Sequence, residues 1–346
     1  MTIKTQITEM LGIKHPIVTA PMAPFYTTEL TVAVSEAGGL GVLSQPGLLT
    51  QDIDPVSEMK ENMTYVVDHT DRPFGFNIRT SRLEPFVDKL CTEIPQFLLD
   101  NPHIQKQCRY VVTSAGSAAI LPQSKTFQEL RNTSDIKLFH VAPAIRLAEK
   151  CINAGVDGLV VTGNEGGGHQ SYEKVSTLVL LQQVQQRFPK IPRIACGGFA
   201  TGTGLLAALS LGAGAIAMGS RFIASHECEF HETYKNVLPS ANAEDTVLVT
   251  GILGPIRLWK NTYSLKRSLV ANKEEKLSQE AVMSLEELTK AAQAYDLAYQ
   301  GNIQDGAVLL GQSIGLINSI EKVSTIIEQI IYDAEKAAKN VLSQIS

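Results

Sequence analysis

Residues 158–221 run GLVVTGNEGGGHQ, then IPRIACGGFATGTG, then GAGAIAMGSRF, with helix-like segments between these pieces. Three short apolar runs each end in glycines, and that alternation admits few folds. Apolar runs of four or five residues suit strands buried on both faces, as in a parallel sheet, and parallel strands need a crossover between them. Glycines at strand ends let backbone N–H groups approach a bound group closely. The stretch therefore reads as an anion cradle with one titratable side chain, His169, beside it. Residues 194–220 carry no charge and are long enough to cross a bilayer. Gly197, Gly198, Gly202, Gly204, Gly212 and Gly214 divide them, however, into strand, helix and strand of globular length.

The same helix–glycine–strand rhythm recurs at VSEAGGLGVLS, CINAGVDGLVV and LSLGAGAIAMG. Strands are expected at 17–20, 40–44, 74–78, 110–113, 137–141, 158–162, 193–196 and 215–218. Helices are expected at 2–11, 29–37, 83–99 (interrupted at Pro95) and 145–153, and 46–71 reads as mixed, mostly helical. Eight buried strands alternating with helices indicate an α/β fold, a (β/α)8 TIM barrel; a doubly wound open sheet is the competing architecture. Eight strands within about 220 residues, and glycine turns clustered after the last strands, favour the barrel. Beyond Arg221 the pattern becomes longer, more charged and helical. The expected division is a barrel of residues 1–224 and 303–346, with a helical insertion or lid domain at 225–302. A last helix at 323–342 returns to close the barrel.

The chain of 346 residues, 44% hydrophobic and 19% charged, carries an ample core. A net charge of −5 without a basic cluster argues against nucleic-acid and anionic-membrane partners. Five scattered cysteines without a CxxC pair argue against a disulfide framework or structural zinc. The opening MTIKTQITEM has no apolar signal region, so a cytoplasmic setting is expected.

In a barrel, chemistry sits at the carboxyl ends of the strands. Those positions hold Pro21, Met22 and Ala23; Asn77; Ser114, Ala115 and Gly116; His140; Gly163, Glu165, Gly166, Gly167, Gly168 and His169; Gly197 and Gly198; then Gly219, Ser220 and Arg221. Two glycine turns on adjacent strands, with a following helix start, can hold a phosphate; the alternative is that they serve close helix–strand packing. No Walker sequence or helix-opening GxGxxG is present, which disfavours ATP and Rossmann-type dinucleotides. On a flexible loop over the mouth, His169 can exchange a proton near neutral pH, or it is structural. Glu165 either orders its loop or bonds a ligand hydroxyl, and His140 either faces a cofactor or is a satisfied core histidine. His226 and His231, in SHECEFHE, read as a surface helix rather than a metal site, and no metal is expected.

The ordered set ITEMLGIKHPIVTAPMA, VSEAGGLGVLS, PFGFNI, GNEGGGH, IPRIACGGFATG and GAIAMGSRFIAS resembles the nitronate monooxygenase family, formerly called 2-nitropropane dioxygenases. Its close relatives are the flavin-dependent enoyl-acyl-carrier-protein reductases. The resemblance implies an FMN-containing barrel enzyme. Pro21, Met22 and Ala23 would line the flavin ring and Asn77 would contact the ring or ribityl region. Gly163 and Gly168 would border the ribityl chain, and Gly197, Gly198, Gly219 and Ser220 would hold the phosphate. His169 would be the base for a nitroalkane. The chain departs from the family at Ala20 and Ala23, where small residues flank Pro21-Met22, at Val141, where several members carry a lysine, and at Gln170-Ser171-Tyr172. The leading expectation is oxidation of nitronates or nitroalkanes with O2. The alternatives are an NAD(P)H-dependent enoyl-thioester reductase and a non-redox phosphate-ligand barrel. The helical addition is of a kind that supports a homodimer.

Overall fold

A computed structural model describes residues 3–47, 54–251, 254–280 and 285–345. Eleven strands occur among them: β1 (Ile17–Thr19), β2 (Gly41–Leu43), β3 (Phe74–Arg79), β4 (Cys108–Ser114), β5 (Lys137–Ala142), β6 (Gly158–Thr162), β7 (Gly168–His169), β8 (Arg193–Cys196), β9 (Ala215–Met218), β10 (Thr246–Gly251) and β11 (Gly254–Trp259). Eight of them form one parallel sheet in the order β1-β9-β8-β6-β5-β4-β3-β2. The Leu40 N–H donates to the Ile17 carbonyl and the Thr19 N–H to the Leu40 carbonyl, both at 2.9 Å. That parallel bridge joins the first strand to the second. The sheet is therefore a closed barrel, and the open-sheet alternative is excluded.

Two apolar layers follow from strands buried on both faces. Val18, Val42, Tyr110, Val112, Phe139, Val160, Ile194, Ala215 and Ala217 fill the barrel interior. A larger layer lies between the strands and the surrounding helices. Helix Gln6–Leu11 belongs to the inner layer. Its buried Ile7 and Leu11 close the amino-terminal end of the barrel, and the Thr5 hydroxyl donates to the Gly214 carbonyl just before β9 (2.6 Å). The floor is thus plugged, and only the carboxyl ends of the strands are left for a ligand.

Helix Val323–Leu342 packs on helices Gly202–Ser210 and Thr28–Glu36, taking the outer position between β9 and β1. The contact is close enough that a side chain at Gly202 would meet the Ile330 carbonyl at 2.3 Å.

Three local expectations need correction. Pro95 does not interrupt its helix: Val87–Asp100 runs through it, giving up one N–H bond while Leu90, Cys91, Ile94 and Leu98 bury one face. Within 46–71 the helix is Pro55–His69, begun by Asp54 capping the Val56 N–H, and residues 48–53 lie outside the described residues. The insertion is not wholly helical. Thr246–Gly251 and Gly254–Trp259 form an antiparallel hairpin, because TVLVTG and GPIRLW place β-branched and large apolar residues at strand spacing. The neighbouring backbone up to Leu310 packs with it, the Trp259 N–H donating to the Val308 carbonyl (2.8 Å).

Gly202→Val should lower stability by about 1–3 kcal/mol, since the added atoms meet helix backbone that cannot swing aside. A smaller loss is expected for Gly155→Ala, where nothing lies within 4 Å and only the left-handed φ of 83° is strained. Urea titration of both variants checks the order.

Candidate active site

The loop after β6 is held from two sides. β7 pairs antiparallel with β11, matching His169 to Ile256 and Gly168 to Arg257. The next residue continues the contact, the Gln170 N–H donating to the Pro255 carbonyl (2.7 Å). Gly168 adopts φ 77°, a left-handed conformation that favours glycine. Buried Arg257 donates from Nε to the Asn164 carbonyl (2.8 Å) and from Nη1 to the Thr246 hydroxyl (3.0 Å). On the other side the Gln312 N–H donates to the Glu165 carbonyl (2.8 Å), and Gly311 lies against Gly167. His169 therefore sits on a paired strand, not on the flexible loop expected from its three preceding glycines. The cause is long-range: the strand that orders it arrives about 87 residues later, a separation at which local sequence carries no signal.

His169 is half-buried, but its Nε2 is sealed from solvent and has no partner. Burial first, and then the charge of Arg79, lower its pKa to about 4. The imidazole is thus neutral at pH 7 with a free lone pair or N–H at Nε2. His140 differs. Its Nδ1 lies 2.6 Å from the Thr113 hydroxyl and the ring also bonds the Gly116 backbone, while burial lowers its pKa to about 4. Of the two readings left open for His140, the satisfied core histidine fits.

Other mouth residues are anchored while keeping one polar atom unused. Asn77 donates from Nδ2 to the Val112 carbonyl (2.8 Å) and the Ser114 hydroxyl (3.1 Å), and its buried Oδ1 has no donor. Arg79, at the end of β3, pairs with Glu84 (2.8 Å), while its buried Nε has no acceptor. Sequence reading missed Arg79; its strand-end position was the available signal. The Met22 N–H donates to the Ser44 hydroxyl (2.8 Å), which holds the Pro21–Ala23 turn against the end of β2.

The glycines divide into two groups. A side chain at Gly163 would strike Thr177 at 2.0 Å, and one at Gly197 would strike the Gly166 backbone at 2.9 Å. These two are required by the protein's own packing. At Gly198 and Gly219 the nearest atoms lie at 3.4 and 3.6 Å, so there is room beside both; Gly198 is still set by its left-handed φ of 87°, and only at Gly219 does the protein's own structure leave glycine unrequired. Gly198 borders a surface pocket of about 380 Å³ with Glu165, Asn242 and Gln312. The Ser220 hydroxyl accepts the Gly311 N–H (3.1 Å), leaving its own proton to donate. Glu165 takes the helix-capping role: Oε2 accepts the Thr177 N–H (2.9 Å) and hydroxyl (3.1 Å) at the start of helix Thr177–Arg187.

SHECEFHE is structural wiring. Thr27 cannot cap helix Thr28–Glu36, because its hydroxyl serves the Val42 carbonyl and the Ser44 N–H. Glu229 caps that helix instead, accepting from Glu29 N–H (2.7 Å). Glu227 does the same for Val323 N–H (3.0 Å) on the last helix, whose Lys322 cap residue makes no side-chain cap bond. His231 caps Thr233 through Nδ1. Among the described residues no three His, Cys, Asp or Glu side chains gather as a metal site, and no helix is long and apolar enough to cross a membrane.

A closed (β/α)8 barrel, plugged below and lined above by unused polar atoms, defines the class of α/β barrel enzyme with its site at the strand ends. The family profile described as nitronate monooxygenase matches residues 4–333, and the chain belongs to that family. It is 28% identical to a (3aS,4S,5R,7aS)-5-hydroxy-7a-methyl-1-oxo-octahydro-1H-indene-4-carboxyl-CoA dehydrogenase of Rhodococcus jostii, over 97% of both chains. It is 26% identical to a probable nitronate monooxygenase of Staphylococcus saprophyticus, over 97% of this chain and 99% of that one. Among solved structures, FabK from Thermotoga maritima is 30% identical, covers 99% of this chain and 100% of its own, and superposes with a TM-score of 0.80. The family and these relatives make the chain an oxidoreductase and imply a flavin cofactor. The non-redox barrel reading falls away.

The two buried imidazoles give stability a pH dependence. Their folded pKa values lie near 4, below the ordinary 6.5, so the unfolded chain binds protons first as pH falls. Stability should be full above about pH 6.5 and decline progressively toward pH 4. His140 alone accounts for about 3 kcal/mol at the acid end. Thermal melts from pH 7.5 to 4.5 test this, and His140→Gln should flatten the decline.

Proposed function

We propose that the chain oxidises small nitronates or nitroalkanes with O2, using FMN at the barrel mouth and His169 as the base. One observation carries the reading: a neutral imidazole whose buried Nε2 has no partner is fixed on a strand at the mouth. The residues present fit FMN. Asn77 Oδ1 lacks a donor, as expected of a group that a polar ring system completes. Gly198 and Gly219 leave room at the proposed phosphate end, where Ser220 keeps a hydroxyl proton to donate. Gly197 would add its backbone there. Pro21, Met22 and Ala23 would line the ring, and Gly163 and Gly168 would border the ribityl chain. Gly163 would border it through its backbone alone, since Thr177 fills the space beside its Cα and its N–H already serves the Thr177 hydroxyl (3.1 Å).

FMN, when bound, supplies an acceptor for substrate electrons and a donor to O2. The chain's own task is proton handling and exclusion of water. His169 takes the proton from the carbon bearing the nitro group, which leaves a nitronate beside an imidazolium. Residues 225–302 serve as the lid. Phe25, on the loop after β1, stacks on Tyr299 at 5.5 Å and meets Phe230 edge-on at 4.9 Å, which seats helix Leu285–Tyr299 over that loop.

A second reading, oxidoreduction of an acyl thioester with NAD(P)H, is favoured by the CoA-ester dehydrogenase among the relatives that match over full length. Anaerobic stopped-flow separates the two. Nitronate should bleach the flavin faster than NADH or NADPH, and the opposite order would reverse the assignment. A purified protein that is colourless and cannot be reconstituted with FMN would exclude both. His169→Asn should slow turnover of neutral nitroethane about 10²–10⁴-fold, with a smaller loss on the preformed nitronate. With a base of pKa about 4, kcat/KM for nitroethane should stay level from pH 8 to about pH 5 and fall below that.

A further inference from the structure

Arg79 stands apart from the residues the family resemblance singles out. It ends β3, three strands round the ring from β6. Its position is over-determined. The backbone N–H donates to Gln45 Oε1 (2.6 Å), Gln45 Nε2 donates to Glu84 Oε2 (2.8 Å), and that same oxygen pairs with Arg79 Nη2 (2.8 Å). Backbone passes directly over the guanidinium, so that a side chain at Gly47 would lie 2.7 Å from Nη2. The Glu84 side chain is only 9% exposed and engages the guanidinium at Nη2 alone. The Nε–H remains buried without an acceptor, a costly state for a charged donor. The charge is felt on both sides of the mouth: it lowers the pKa of His169 and also acts on Tyr295 of the lid helix.

We propose that Arg79 donates its Nε–H to an oxygen of a small planar anion, a nitronate or carboxylate head, at the mouth beside His169. With Nη2 held by Glu84, the rigid guanidinium aims its charged Nε–H in one direction, which a flexible lysine ammonium cannot reproduce. The ion pair with Glu84 fixes the fork without consuming Nε. This assignment rests on the function proposed above and adds the residue that selects an anionic head. It also places opposite charge beside the imidazolium formed when His169 takes a proton.

The test is calorimetric titration of the flavin-loaded protein with propionate and with the neutral isostere propionamide, for wild type, Arg79→Gln and Arg79→Lys. Arg79→Gln should weaken propionate about 10–100-fold, the scale of a lost charge-assisted hydrogen bond, and leave propionamide unchanged. Arg79→Lys should fall between, and it carries the test if Arg79→Gln does not fold. Binding of propionate to wild type should raise the His169 pKa, read by NMR. Equal propionate affinity in wild type and variants, equal losses for propionate and propionamide, or no propionate binding to wild type would overturn the assignment. Nitronate bleaching of the flavin is measured in parallel. If nitronate fails to bleach while propionate binding depends on Arg79, the proposed function falls and the anchor stands. If nitronate bleaches wild type and Arg79→Gln at the same rate and half-saturation, the anchor falls and the function stands.

Discussion

The hydrogen bonds between Gly168–His169 and Ile256–Arg257 turn a glycine loop into the edge strand of a small sheet, and the order of the mouth follows from them. Three glycines in sequence would otherwise leave His169 with wide conformational freedom. Pairing removes that freedom on one side, and the Leu309–Gln312 backbone removes it on the other. Arg257 then reaches from the hairpin to Asn164 and fixes the start of the same loop. A buried arginine is costly to desolvate, and here it is retained with both ends of its fork engaged.

Residues 225–302 are therefore wired into the structure of the barrel. Glu229 and Glu227 complete the starts of two outer helices that lack side-chain caps of their own, and those helices are neighbours around the closing strand. An aromatic group around Phe25 joins helix Leu285–Tyr299 to the loop after β1. Residues 225–302 are coupled to the barrel through these caps and rings and through a shared apolar cluster that includes Phe230, Tyr234 and Leu238.

Much of the barrel was legible because its strands are buried on both faces. Each of the eight appears as a short apolar run stopped by glycine, proline or a polar residue, and each lies within two residues or so of its expected bounds. Pro95 misled because local helix rules count the lost hydrogen bond but not the buried face that offsets it. The hairpin was missed because it lies within a charged, mostly helical segment, and its partner strand is two residues long. Arg79 was passed over because its place at a strand end, the one signal in FNIRTS, does not by itself separate a guanidinium held at a mouth from one in solvent.

The sequence by itself determined the period, the strand count and the glycine turns, since apolar spacing and backbone freedom are local properties. From these came the barrel and the positions at its rim. Only the tertiary structure decided which rim groups are unused. It sealed Nε2 of His169, satisfied His140 with Thr113, gave Glu165 to a helix cap and left Arg79 one donor short. Those outcomes depend on hydrogen bonds between residues far apart in the chain. Burial and partner supply, which set the charge state and availability of each group, exist only once the ring has closed and the hairpin has docked.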